Sequence, residues 1–228
     1  MPPFSLEAFH ERYDTDTRDL SVRNRHFKFF VPKSIDPFID PDDIFHDFPL
    51  WSKIWDASIV LADHLAGVAP NPEKHLLEIG GGMGLVGIVA AGFGHRVTLT
   101  EHNADALNFA RANAAINPCR NGGDLEIIEL DWNRPTLYGA FDHIVGSEVI
   151  YNEKDYDPLL NLFRTYLGPE GSVILAERAR KTSIEFFRRM SALFDITARK
   201  KILRVEGEEI PLILADMAFK PQERPRIH

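Results

Sequence analysis

The stretch His75-Leu76-Leu77-Glu78-Ile79-Gly80-Gly81-Gly82-Met83-Gly84-Leu85-Val86-Gly87 decides how this chain folds. An apolar run of strand length gives way to a glycine-packed turn and then to a second apolar run of helical length. Strand, tight turn and helix in that order form the first unit of an α/β fold, and the glycines leave bare backbone where a nucleotide-like ligand can approach closely. Glu101 closes the next apolar run, in a position where an acid can hold ribose hydroxyls. The segment therefore points to an adenosyl ligand.

Two ligand classes fit the glycine spacing. Gly82-Met83-Gly84-Leu85-Val86-Gly87 satisfies G-x-G-x-x-G, and Glu101 lies near the ~20-residue offset of the ribose acid in dinucleotide enzymes. The other register, Glu78-x-Gly80-x-Gly82-x-Gly84, adds an acid at the strand end. A pyrophosphate is held by helix N-terminal amides and gains nothing from a carboxylate beside it. S-adenosylmethionine carries a sulfonium and an ammonium and has no phosphate, so Glu78 favours it over a nicotinamide dinucleotide.

The alternation continues outward from this unit. Upstream, residues 27–31 read as a short strand, and the proline- and aspartate-rich residues 32–49 as a surface loop. Apolar residues Ile54, Ala57, Ile59, Val60, Leu61 and Leu65 predict a helix over 51–65, stopped by Gly67. Downstream, strands are predicted at 75–79, 96–101, 125–131, 141–149 and 172–177, and helices at 85–91, 104–116, 156–167 and 182–194. Such alternation predicts a parallel sheet covered by helices on both faces. Residues 196–205 and 211–219, joined by Glu206-Gly207-Glu208-Glu209, predict a closing hairpin that puts an antiparallel strand at one edge.

Composition bounds the function. With 228 residues, 44% hydrophobic and 26% charged, the chain suits one globular domain with a sizeable core. A net charge of −8 argues against a nucleic-acid partner. Arg18, Arg23, Arg25 and Lys28 are followed by Asp36, Asp40, Asp42, Asp43 and Asp47, which reads as a solvated mixed-charge surface. The single cysteine, Cys119, rules out an intrachain disulfide framework and suits a reducing cytoplasm. The start lacks a basic region followed by an apolar stretch, and the longest apolar run, 85–93, is too short to span a bilayer. A cytoplasmic protein with no membrane partner is expected, by default a monomer. The nine histidines show no metal-ligand spacing, and the aspartates at 36–47 lack a calcium loop's central glycine. No metal is expected.

In an open α/β sheet the ligand lies beyond the carboxyl ends of the strands. Those ends carry Glu78 to Gly84, then Glu101-His102-Asn103, Asp131-Trp132, and Ser147-Glu148-Val149-Ile150-Tyr151. Each of the four brings an acid. In this order, LEIGGGMGLVG, VTLTEHN, ELDW and FDHIVGSEVIY, the chain resembles the class I, seven-stranded S-adenosylmethionine-dependent methyltransferases. More narrowly it resembles the group that contains many protein-lysine methyltransferases, whose Trp-containing helix before the first core strand is matched by LWSKIWDASIVLADHL. The resemblance is specific from Trp51 to Tyr151, extends loosely to Phe219, and scarcely touches the first fifty residues. It implies a three-layer, Rossmann-like, mostly parallel sheet in a methyltransferase domain over 51–228, with residues 1–50 as an extension packed on it.

The resemblance also implies roles. Glu78, Gly80, Gly82 and Gly84 would cradle the methionine and ribose portions of S-adenosylmethionine, and Glu101 would accept from the ribose hydroxyls. Asp131 would accept from the adenine amino group, with Trp132 and His102 flanking the ring, while Trp55 and Ser147 complete the pocket. The group commonly ends its fourth strand with Asp-x-x-Tyr; here Glu148-Val149-Ile150-Tyr151 supplies a longer acid. Glu148 and Tyr151 are the expected catalytic pair, positioning the methyl acceptor, with Glu148 helping a proton to leave. The expected activity is methyl transfer to a protein lysine. A small-molecule acceptor on the same fold is the alternative, and a nicotinamide-dinucleotide oxidoreductase a more distant one.

Overall fold

The alternation that starts at residue 75 folds as one seven-stranded sheet, with a separate two-stranded hairpin ahead of it. The computed structural model describes residues 4–40, 42, 48–119, 122–205 and 208–224. Asp43 and Asp47 of the acidic stretch and Glu206 and Gly207 of the closing turn lie outside the described residues.

The chain begins with α1 (Leu6–Arg12), β1 (Thr15–Val22) and β2 (Arg25–Pro32), followed by α2 (Asp56–Ala66). The core runs β3 (His75–Ile79), α3 (Leu85–Gly92), β4 (Arg96–Glu101), α4 (Ala104–Ile116), β5 (Asp124–Glu129) and β6 (Phe141–Ser147). It ends with α5 (Tyr156–Tyr166), β7 (Leu167–Arg178), α6 (Lys181–Met190), β8 (Phe194–Val205) and β9 (Glu208–Phe219). Strand order is β5-β4-β3-β6-β7-β9-β8. The first five strands in that order are parallel, and β9 runs antiparallel to both neighbours. Chain direction across the sheet reverses between β3 and β6, the switch point where a crevice opens beyond the strand ends.

Side chains alternate across β3, so Leu77 and Ile79 join the core under α5 and α6, whereas Leu76 joins the core under α2 and α3. Glu78 shares the face of Leu76, which sends its carboxylate toward α3. That helix is apolar all round, and every one of its residues is buried. A third cluster ties α1 and the end of β2 to α4 through Phe9, Tyr13, Val31 and Phe109.

Several sequence expectations change. The closing hairpin is present at one end of the sheet, with its antiparallel strand β9 inserted between β7 and β8 so that β8 is outermost. The helix expected over 51–65 starts only at Asp56. Trp55 is its extended N-cap, and the Trp55 Nε1–H donates to Leu50 O at 2.7 Å, folding the chain back on itself. The strand expected to reach Asp131 ends at Glu129, since Asp131 Oδ1 accepts the Asn133 N–H at 2.9 Å and turns the chain. The strand expected to reach Val149 ends at Ser147, where Glu148 takes φ +51. Residues 4–32 hold a helix and two strands, where the residue pattern predicts one short strand.

Candidate active site

The glycine turn beyond β3 takes a backbone path that residues with a Cβ rarely adopt. Gly80, Gly82 and Gly84 have φ of +60, +53 and +90. The turn is laced to β4 by Gly81 N–H to Thr100 O at 2.9 Å and by Gly82 N–H to Glu101 Oε2 at 2.8 Å. Glu101 Oε1 accepts from the His102 and Asn103 amides at 2.7 and 2.9 Å, so its carboxylate is held in one orientation at the mouth of the crevice. Asn113 on α4 fixes the far side: its Nδ2 donates to Met83 O at 3.0 Å while its Oδ1 accepts the Phe30 N–H at 2.7 Å.

These elements border a cavity of about 520 Å³, within the range of small-molecule sites. Its floor is Gly80 to Met83, its β4 side is Glu101 to Ala104, and Trp51, Ile54, Trp55 and Phe29 cover it. Lys53 Nζ lies 5.2 Å from the centre of the Trp55 ring. Glu78 reaches the wall, but it is 2% exposed, and its Oε2 has no hydrogen-bond partner. A Cβ on Gly87 would lie 2.4 Å from that oxygen, so the glycine in α3 is what admits the carboxyl. Burial pushes Glu78 up to about 8, against the pull of the Gly87 N–H.

At the other end, Ser147, Glu148, Val149 and Tyr151 close the cavity. The Glu148 Oε1 accepts the Arg178 N–H at 2.7 Å, and its Oε2 lies 2.5 Å from Arg180 Nη2. The Arg180 guanidinium carbon is 5.8 Å from the centre of the Tyr151 ring. Burial, reinforced by Glu148 and Glu177, raises the Tyr151 phenol well above its usual range, so it is neutral at ordinary pH. Arg178 reaches back to Asp56 at 2.5 Å, joining the start of α2 to the end of β7.

A model of the lysine methyltransferase family matches residues 50–193, from the tryptophan-bearing cover to the end of α6. The chain belongs to that family. It is 31% identical over 169 residues to the protein N-lysine methyltransferase METTL21A of Xenopus tropicalis, covering 73% of this chain and 78% of the relative. It is 32% identical over 144 residues to EEF1A lysine methyltransferase 3 of Mus musculus, covering 61% of each. A histidine protein methyltransferase 1 homolog of Dictyostelium discoideum is 31% identical over 134 residues, covering 55% of this chain and 42% of the relative. Among solved structures, a glycopeptide N-methyltransferase MtfA complexed with S-adenosyl-L-homocysteine superposes with a TM-score of 0.59 at 16% identity, covering 70% and 88%. A precorrin-6y C5,15-methyltransferase from Geobacter metallireducens gives 0.55 at 16%, covering 72% and 87%. The fold is the class I methyltransferase fold, and S-adenosylmethionine is the family's methyl donor.

The family's donor suits the site: bare backbone at three left-handed glycines, a fixed carboxylate at Glu101, and a buried carboxyl oxygen at Glu78 without a partner. The structure brings Trp55, Glu78, Gly80, Gly82, Glu101, His102, Trp132, Ser147, Glu148 and Tyr151 to one cavity. Gly84 and Asp131 do not border it. Gly84 caps α3, where a Cβ would lie 2.9 Å from Ile88 Cδ1. Asp131 Oδ1 is taken by the Asn133 amide and side chain, which hold its carboxyl below the usual range. Glu148, expected to meet the acceptor, is instead enclosed, with a side chain 1% exposed. Sequence reasoning missed Glu177, Arg180 and Asn113. Glu177 had a signal, since it is the acid at the end of the fifth core strand, SVILAE. Arg180 and Asn113 had none, because each works through contacts distant in sequence.

Proposed function

We propose that the protein transfers a methyl group from S-adenosylmethionine to a lysine side chain of another protein. The observation that carries this reading is one continuous cavity with the glycine cradle and Glu101 at one end and Tyr151 at the other, in a chain of the lysine methyltransferase family.

The donor supplies a methyl carbon already activated by its sulfonium. Gly80 and Gly82 let the backbone close on its methionine portion, with Gly84 shaping the turn. Glu101 would accept from the ribose hydroxyls, and Trp132 and His102 would flank the adenine. Trp55 and Ser147 border the same cavity, where Trp55 would cover the donor and Ser147 would line its methyl-bearing end. What remains is to align the acceptor and exclude water, which accounts for a large share of the barrier reduction in such displacements. A lysine ammonium, with an ordinary pKa of about 10.4, must first lose a proton, which passes to bulk water as the side chain leaves solvent. Burial beside Tyr151 and the facing Arg180 cation both favour the neutral amine. The neutral Tyr151 oxygen accepts an amine N–H, leaving the nitrogen lone pair directed at the methyl carbon. Glu148 then acts through Arg180 and the Arg178 amide rather than as a free base. A cytoplasmic, monomeric enzyme acting on a protein completes the reading.

Calorimetry with S-adenosylmethionine, S-adenosylhomocysteine and NAD tests the donor, and binding of NAD alone would overturn it. Incubation with radiolabelled S-adenosylmethionine in a cell extract, followed by hydrolysis of the labelled protein, should yield methyl-lysine. Label confined to small metabolites would reject the protein acceptor.

A further inference from the structure

Glu177, at the end of β7, is fully buried at 0% exposure. Its Oε1 accepts the Val149 N–H at 2.8 Å, and its Oε2 has no partner. One strand away, Glu148 reciprocates: its Oε1 accepts the Arg178 N–H at 2.7 Å, and its own N–H donates to Ala176 O at 2.9 Å. The ends of β6 and β7 are thus stitched beyond Ser147, the last residue of β6 paired with β7, by two carboxyl groups pointing in opposite directions. The stitch holds Glu148 in the left-handed region at φ +51, a strained conformation for a residue with a Cβ. Freed of its partners, the segment would relax to an extended path, and Tyr151, three residues on, would leave the cavity wall.

We propose that Glu177 is a positioning residue for methyl transfer: by accepting the Val149 N–H it holds residues 148–151 in the strained path that presents Tyr151 to the acceptor. This rests on the reading of Tyr151 as the group that orients the acceptor. The charged and titratable groups facing Glu177 are Glu148 and Tyr151 from that segment and Arg180 from the residue before α6, while Ile213, its neighbour on β9, is apolar. Burial pushes Glu177 up to about 8, with Glu148 adding to the rise and the Val149 amide and Arg180 opposing it. At neutral pH it is therefore a neutral acceptor, a role that glutamine can fill and alanine or leucine cannot.

Hydrogen exchange at the Val149 amide, in the full chain with S-adenosylhomocysteine bound, tests the hold. Glu177→Ala should speed exchange roughly tenfold or more, the effect of one lost buried hydrogen bond, and Glu177→Gln should match the wild type. Glu177→Leu fills the same volume without an acceptor and replaces the alanine variant if that fails to fold. With the protein that the wild type labels, purified, kcat should fall at least about tenfold in the alanine or leucine variant and recover in the glutamine variant. KM for S-adenosylmethionine should stay within about twofold. Unchanged Val149 protection or unchanged kcat in the alanine or leucine variant, or a glutamine variant as damaged as they are, would overturn the proposal. If the wild type labels no protein, the proposed activity falls, and the Val149 amide still decides whether Glu177 holds the segment.

Discussion

Glu78 couples the stability of the fold to pH. Its carboxyl has a folded-state value of about 8 against an ordinary 4.5 because burial disfavours the charge. Between those values the folded protein keeps a proton that the unfolded chain releases, so stability falls as pH rises from about 4.5 to about 8 and levels off above. Glu78→Gln removes that titration and nearly preserves the shape. Its melting temperature should equal the wild type's near pH 5 and exceed it by several degrees at pH 8, from a gain on the order of 1 kcal/mol or more. Calorimetric scans at three pH values check this; a gap that does not change with pH would reject a neutral Glu78. On the neighbouring strand, both oxygens of Glu101 accept backbone amides. Glu101→Gln sets an NH₂ group against one of those donors. Its affinity for S-adenosylhomocysteine, by titration calorimetry, should fall roughly 10–100-fold, the range for losing one charge-assisted hydrogen bond.

At the scale of elements, legibility follows periodicity. β4 and α4 have the bounds the residue pattern predicts, since β4 is a short run buried on both faces from Val97 to Thr100, α4 carries one buried face, and each has a plain polar start or stop. β1 was unreadable for the opposite reason: in Thr-Asp-Thr-Arg-Asp-Leu-Ser-Val only Val22 is buried, so no alternation marks it. It is a strand because β2 pairs with it, and β2 is held by its buried Phe27 and Phe29. The cavity's glycine side was legible because local backbone geometry demands glycine there. Arg180, which backs the Glu148–Tyr151 wall, was not, since its contacts to Glu148 and Tyr151 exist only once β6 and β7 lie side by side. Asn113 illustrates such hidden coupling, bonding Phe30 N–H, Phe30 O and Met83 O from a fully buried position. Asn113→Ala strands these groups and should cost roughly 2–4 kcal/mol in urea denaturation while also loosening the glycine turn. Asn113→Asp keeps the bond from the Phe30 N–H but loses both donors, and should fall in the same range. A loss below about 0.5 kcal/mol in both would show that the hairpin does not depend on this residue.

For the whole molecule, the sheet separates two cores that share the work unequally. Phe186 of α6 is fully buried on one face, its ring edge-on to Tyr156 at 5.2 Å, and it does not border the cavity. Phe29 of β2 is buried on the other face with the residues of α2 and α3, and it does border the cavity. Truncating either to alanine removes a buried ring of the same size, so each should cost roughly 3–5 kcal/mol by denaturation. Function should divide them. Phe29→Ala opens the cover over the glycine turn and should weaken S-adenosylhomocysteine binding at least about fivefold, about 1 kcal/mol. Phe186→Ala should bind within about twofold of the wild type while it remains folded. Calorimetric titration of both variants at a temperature well below their midpoints separates the cases. Equal loss of binding would mean that the two faces are mechanically coupled through the sheet, and that the hairpin ahead of the core is no more part of the site than any other packed element. Loss confined to Phe29→Ala would make the hairpin a working wall of the site, although the family match begins only at residue 50.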